Sequence, residues 1–146
     1  YQRRVRGMGC SSQSATKQQS NLLGKEIVQV KTDQVTLGPY SPATKFGGFV
    51  CVSGQLGFKN NQLPQTIEGQ TNACLQNLYS VLNASGSSLQ KVVKCQVFLQ
   101  NMDDFEKMNS VYAEFFKEHK PARICVQMAK LKTKDALVEI DAMAVE

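Results

Sequence analysis

Pro121-Ala122-Arg123-Ile124-Cys125-Val126 is the stretch whose residue types invite chemistry. Proline disfavours helix in the residue before it, so an amphipathic helix pattern should stop near Lys120 and an extended run should follow. Arg123 is the only arginine after position 25. A planar guanidinium grips a carboxylate through two parallel hydrogen bonds, which an ammonium cannot do. Arg123 is therefore the candidate group for holding a small carboxylate, against the commoner role of a surface or salt-bridge arginine. Period-two alternation puts Arg123 and Cys125 on one face of their strand.

A few other polar groups stand where packing alone would not place them. Tyr40 sits in the proline-flanked turn Gly38-Pro39-Tyr40-Ser41-Pro42. Ser53 and Gly54 end an apolar strand, and a glycine there lets another backbone or a ligand come close. Asn109 is four residues after Phe105 and so lies beside the apolar stripe of a helix. Glu139 interrupts Leu137-Val138-Glu139-Ile140, where a carboxylate is costly if buried and unpaired. Each also has a structural reading. Tyr40 can pack on its turn, Ser53 can bond its own turn, Asn109 can cap a neighbour, and Glu139 can lie on a solvated face.

The elements that must position these groups follow from periodicity. Ile27–Val30 and Phe49–Val52 read as strands. Pro64–Ala84 reads as a helix, with Ile67, Cys74, Leu75, Leu78, Val81 and Leu82 on one stripe and Gly86 just beyond its end. Val92–Leu99 alternates as a strand. Asp103 with Glu106 reads as a capping box for a second helix, whose stripe is Phe105, Met108, Tyr112, Phe115 and Phe116. Arg123–Met128 and Ala136–Val145 are the last strands. The order β-β-α-β-α-β-β predicts an α+β fold, with two helices on one face of a mixed sheet. The second face then needs cover, which an oligomer supplies.

Composition limits the partners. The chain has 146 residues and a formal charge of +5, enough length for one compact domain. Arg3, Arg4, Arg6, Lys17 and Lys25 precede position 26, whereas all twelve acids and the other twelve basic residues follow it. Residues 26–146 are thus neutral, which disfavours strong nucleic-acid binding. There is no apolar run of transmembrane length. The cysteines are odd in number, Cys10, Cys51, Cys74, Cys95 and Cys125, without C-x-x-C spacing. Cys51, Cys74 and Cys95 read as reduced, buried thiols. The single histidine, His119, at a helix end, leaves little for a histidine-based triad or metal site. Residues 1–25 read as a disordered basic tail, either a leader or a transit-like segment. Met8-Gly9-Cys10-Ser11-Ser12 is similar to an acylation signal but has Gln13 where Ser or Thr belongs.

Gly38-Pro39-Tyr40-Ser41, Val52-Ser53-Gly54-Gln55, Val97-Phe98-Leu99 with Asp103-Asp104-Phe105, Asn109-Ser110-Val111-Tyr112, Pro121-Ala122-Arg123 and Val138-Glu139-Ile140 occur in that order. This ordered set, across residues 26–146, resembles the Rid, or YjgF, family of reactive intermediate deaminases. The connection Leu131–Asp135 departs from the family pattern in lacking a proline and being a residue longer. The resemblance implies a chorismate-mutase-like fold and a homotrimer with clefts between subunits. It implies hydrolysis of 2-imino acids such as 2-iminopropanoate and 2-iminobutanoate to 2-keto acids and ammonia, without a cofactor or metal. It gives Arg123, Glu139 and Cys125 catalytic roles and makes Tyr40, Ser53, Gly54, Asn109 and Arg123 the substrate-binding set. It implies a cytoplasmic protein, or a mitochondrial one if the tail is a transit peptide. Two further activities fit the same resemblance: an endoribonuclease or translation inhibitor, and a non-catalytic ligand-binding trimer.

Overall fold

The computed structural model describes residues 28–32 and 36–146, so the expectations for residues 1–25 lie outside the described residues. The elements are β1 (Val28–Val30), β2 (Ala43–Phe46), β3 (Phe49–Leu56), α1 (Ile67–Ala84), β4 (Val92–Leu99), α2 (Phe105–Phe116), β5 (Ala122–Gln127) and β6 (Val138–Val145). One mixed sheet runs β1-β2-β3-β6-β4-β5. Only the β4–β5 pair is parallel, and α2 makes that crossover. The α+β class and the two-helix layer are as the periodicity predicts.

One strand was not expected. Ala43-Thr44-Lys45-Phe46 is short and half polar, so it reads as loop. Its pairing comes from Gly47 and Gly48, which take φ of 61° and 87° and close a two-residue hairpin between Phe46 and Phe49. Positive φ at both central residues matches the twist of the flanking strands, and glycine adopts it without steric cost.

The helix ends show where sequence signals hold and where they shift. Thr66 caps α1, its Oγ1 accepting from Gly69 N at 3.1 Å, so the helix starts three residues after Pro64. At the far end Gly86 takes φ of 77°, and the Gly86 and Ser87 amides return to Asn83 and Leu82 carbonyls. That is the glycine-terminated stop expected there. The capping box of α2 does not form. The chain already turns in a 3₁₀ segment at Met102–Asp104, so the cap moves to Asn101, whose side chain accepts from Asp103 N at 3.1 Å.

The core lies between the helices and one sheet face. Val50, Val52, Cys95, Val97, Leu99, Val138 and Ile140 meet Cys74, Leu75, Leu78 and Leu82 of α1 and Met108, Tyr112 and Phe116 of α2. Cys74 and Cys95 are buried as expected, and burial pushes the Cys95 thiol up to about 11. Cys51 is exposed, against the expectation. Alternation sends Val50 and Val52 into the core and turns Cys51 onto the opposite face. That opposite face also carries Phe49, Ile124 and Met143, all more than a third exposed.

Gln70 is a buried polar residue that periodicity does not flag. Its amide nitrogen donates to the Pro64 and Asp135 carbonyls at 2.9 Å each, and its oxygen accepts from Leu137 N at 2.8 Å. These bonds pin the connection 131–137 and fix the register in which β6 enters the sheet. Beneath this residue, a Cβ built on Gly57 would stand 2.6 Å from the Gln70 carbonyl oxygen and 2.9 Å from its Cα. Backbone atoms cannot rotate away. Gly57→Ala is expected to destabilise by about 1–3 kcal/mol, read as a lower urea midpoint with unchanged slope. An unchanged midpoint would show that α1 can ride outward freely.

Candidate functional site

Arg123 pairs with Cys95 across the β4–β5 ladder and so lies on the helix-covered face. Its guanidinium carbon sits 4.6 Å from the Tyr112 ring centre and 5.8 Å from that of Phe105. Among the described residues the ion pairs are Lys45–Glu146 and Lys117–Glu114, and neither involves Arg123. Its N–H groups likewise have no acceptor among those residues. The guanidinium is therefore held beside two aromatic rings, while its donors have no acceptor among the described residues.

Cys125 is half-buried two residues on, opposite Val97 and on the same face. Burial pushes its thiol pKa up, and Arg123 pulls in the other direction. The thiol is thus held protonated, which suits a thiolate nucleophile poorly. Its backbone is better placed. Met128 N donates to Leu99 O, so alternation turns the amides of Arg123, Cys125 and Gln127 away from β4. Strand β5 is the sheet's edge, and those amides point outward from it. Asn109 lies one turn beyond Phe105 on α2, half-buried, on the side that carries Met108 and Tyr112.

Tyr40, Ser53, Gly54 and Glu139 form a second cluster. The Pro42 carbonyl accepts from Ser53 N at 2.9 Å, and the Ser41 carbonyl accepts from Ser53 Oγ at 2.7 Å. The hydroxyl is thereby committed to fastening the turn onto β3. Tyr40 is 47% exposed, and its hydroxyl accepts from Leu37 N at 3.2 Å. A cavity of about 610 Å³ opens there, with Tyr40, Gly54, Leu56, Phe58 and Asn77 among its walls. Asn77 fixes that wall by donating to the Leu56 and Phe58 carbonyls at 2.8 and 3.1 Å.

Glu139 lies directly over Gly54. The register slips between Val52 and Gln55, and a Cβ on Gly54 would overlap Glu139 Oε1. The close approach that a glycine permits is used here by the carboxylate. Glu139 itself pairs opposite Leu56 on β3 and Phe98 on β4, so it lies within β6 despite the unusual preceding loop. Burial pushes its pKa above the ordinary carboxylate range, and Asp141 on the same face adds to the rise. Asp141 is also raised by burial, partly offset because Gln96 Nε2 donates to its Oδ2 at 2.8 Å. Glu139 has no such donor among the described residues.

The expected site residues are therefore gathered into two groups. Arg123, Cys125 and Asn109 belong to the helix-covered face at the β5 edge. Glu139 and Gly54 belong to the other face, with Ser53 and Tyr40 at the turn beside them. Glu139 and Arg123 are also two strands apart, roughly 10 Å at ordinary strand spacing. One protomer does not bring them to a common small molecule. Sequence reasoning missed Tyr112 as a neighbour of Arg123, and Asp141 with Gln96 beside Glu139. The i, i+2 spacing of Glu139 and Asp141 was a readable signal. The Tyr112 contact depends on how α2 lies across β5. Among the described residues no group of three or more His, Cys, Asp or Glu side chains is arranged to hold a metal. His119 is used structurally, its Nε2 lying 2.7 Å from the Val92 carbonyl.

Comparison with known proteins is consistent across the chain. Residues 30–146 match the family model described as Endoribonuclease L-PSP. A RutC family protein of Pyrococcus horikoshii is 42% identical, over 82% of this chain and 97% of that one. The mitochondrial protein mmf2 of Schizosaccharomyces pombe is 44% identical, over 75% of this chain and 89% of its own. Escherichia coli TdcF, named a "putative reactive intermediate deaminase", is 34% identical over 83% of this chain and 97% of its own. The crystal structure of TdcF with bound serine superposes with a TM-score of 0.76, covering 82% of this chain and 98% of that one. By residues 30–146, by these relatives and by the fold, the chain belongs to the Endoribonuclease L-PSP family, also called the YjgF or Rid family.

Proposed function

We propose that this protein hydrolyses 2-imino acids, such as 2-iminopropanoate and 2-iminobutanoate, to 2-keto acids and ammonia. The observation that carries the reading is the Arg123 guanidinium, held over the Tyr112 and Phe105 rings and lacking an acidic partner among the described residues. A fork held this way is suited to a substrate carboxylate. The deaminase name of TdcF and its serine-bound structure support a small amino-acid-like ligand.

The chemistry asks for little beyond position and one proton carrier. A protonated imine is already electrophilic at carbon. Arg123 fixes the carboxylate, and the outward Cys125 amide orients the water or the departing ammonia. Water adds to the imine carbon while Glu139 takes its proton. The same carboxyl then protonates the amine nitrogen, the C–N bond breaks as the hydroxyl oxygen becomes the ketone, the hydroxyl proton passes to the departing ammonia, and the keto acid and ammonium leave. Burial raises the pKa of this carboxyl, which makes it a better proton acceptor than an ordinary carboxylate.

Because Arg123 and Glu139 lie on opposite faces, the reading requires assembly. The homotrimer joins the Arg123 edge of one protomer to the Glu139–Gly54 contact of the next, beside the cavity that Tyr40 and Gly54 line. The exposed Phe49, Ile124 and Met143 give that assembly apolar surface to bury. Sedimentation at micromolar concentration is expected to give a trimer, and a monomer with full activity would refute the shared site. The activity test couples a pyridoxal-phosphate-dependent dehydratase to keto-acid and ammonia release. An RNA-cleavage arm separates the endoribonuclease reading that the family model's description raises. The neutral body of residues 26–146 and a single, backbone-bonded histidine favour the imine. A cytoplasmic or mitochondrial setting belongs to the same proposal, the latter supported by mmf2. No helix of the described residues is long and apolar enough to cross a membrane.

A further inference from the structure

We propose that Tyr112, assisted by Phe105, is a positioning residue that aims the Arg123 guanidinium. The inference rests on the reading that Arg123 binds the substrate carboxylate. An arginine side chain has many rotamers, and most bound arginines are oriented by a carboxylate. Among the described residues Arg123 has none, so its orientation comes from the rings beneath it. The Tyr112 centroid is 4.6 Å from the guanidinium carbon, well within cation–π range, and Phe105 stands at 5.8 Å.

This mode of support differs from a salt bridge in a way that matters for binding. An acidic partner would occupy the donor edge and neutralise the charge. A ring attracts the cation without accepting through an anionic oxygen and leaves its charge unpaired. The platform is itself immobile. Tyr112 is 7% exposed and leans on Phe116 at 4.7 Å between ring centres, and Phe116 meets Phe115 edge-on at 5.8 Å. The Tyr112 hydroxyl is buried beside the Cys95 thiol yet has no hydrogen bond of good geometry. Its ring is therefore the useful part of the residue, and its hydroxyl is a small cost.

The test compares Tyr112→Phe, Tyr112→Leu and Arg123→Ala in the full chain. The readouts are steady-state imine hydrolysis, calorimetric binding of 2-oxobutanoate as a carboxylate probe, and melting. Tyr112→Phe is expected to bind and turn over within roughly twofold of the parent and to be at least as stable. Tyr112→Leu is expected to raise KM and the probe Kd by roughly five- to thirtyfold, with a smaller change in kcat. Rescue by phenylalanine and the KM-weighted loss are outcomes that general destabilisation would not give. Should the leucine variant melt below the assay temperature, Phe105→Leu at the half-buried start of α2 carries the test. It is expected to raise KM by roughly two- to fivefold, the contact being longer. Probe binding unchanged in a folded Tyr112→Leu, but lost in Arg123→Ala, overturns the platform and leaves the site standing. Probe binding unchanged in Arg123→Ala overturns the carboxylate reading itself.

Discussion

Glu139→Gln is expected to lose imine hydrolysis by roughly 10²–10⁴-fold in kcat and, at the same time, to melt higher than the parent at neutral pH. The first effect follows from the proposed proton transfers, since an amide can neither take nor return the proton. The second follows from the direction of the pKa shift. Burial, then Asp141, raise Glu139 above its unfolded value. In the window between the unfolded and folded values the native state therefore holds more protons, and stability falls as pH rises through it. Glutamine removes that dependence. The difference in melting temperature should shrink toward zero below about pH 4 and turn positive as pH rises past the ordinary carboxylate value. Differential scanning calorimetry of both proteins across that range, with keto-acid release beside it, makes the check. An inactive variant that melts lower at neutral pH would mean that an assembled partner neutralises Glu139. An active one would remove it from the mechanism.

Arg123→Lys should cut kcat/KM by roughly ten- to a thousandfold although the charge is kept. A charge-assisted hydrogen bond is worth about 1.5–3 kcal/mol, and lysine forfeits the second arm of the fork. The structure adds a reason beyond hydrogen-bond count. The guanidinium carbon sits 4.6 Å from the Tyr112 ring centre, whereas an ammonium over the same ring has no planar fork to aim. The melting temperature is expected to stay close to the parent's, because Arg123 is only half-buried and lysine keeps a cation over the rings. Near-normal hydrolysis would exclude Arg123. Lost activity with a dissociated or unfolded protein would instead give the arginine a role in assembly.

Elements with a strong period were legible in the sequence. Val92–Leu99 alternates cleanly, and α1 carries a full apolar stripe closed by Gly86. What local pattern misses is what the neighbours decide. Ala43–Phe46 is a strand because Phe49–Val52 pairs with it, not because its own residues favour one. Cys51 is exposed because burial alternates along a strand that looks apolar throughout. The α2 cap moved because the chain was already turning one residue earlier. For the site, residue types pointed to Arg123, Gly54 and Glu139, and the close approach at Gly54 was readable as such. That Arg123 and Glu139 face opposite ways was not, since it depends on strand order. Sequence order puts β6 last among the strands, whereas in the sheet it lies between β3 and β4.

That placement bears on how the molecule comes into being. Strands β3 and β4 meet only through β6, an eight-residue strand that pairs antiparallel with both. Synthesis delivers β6 after every other strand. The nascent chain can thus form helices and the β2–β3 hairpin early, but the two halves of the sheet stay unjoined until Val138–Val145 emerges. Closure is then a long-range event of the kind that makes folding slow. A chain cut short before Val138 exposes the inner edges of β3 and β4 and the apolar side of α1 together. Such a fragment is a substrate for chaperones and proteases, not a weakened form of the whole chain. Only a polypeptide that carries its central strand can close the sheet, so incomplete translation products are sorted out by topology before any assembly begins.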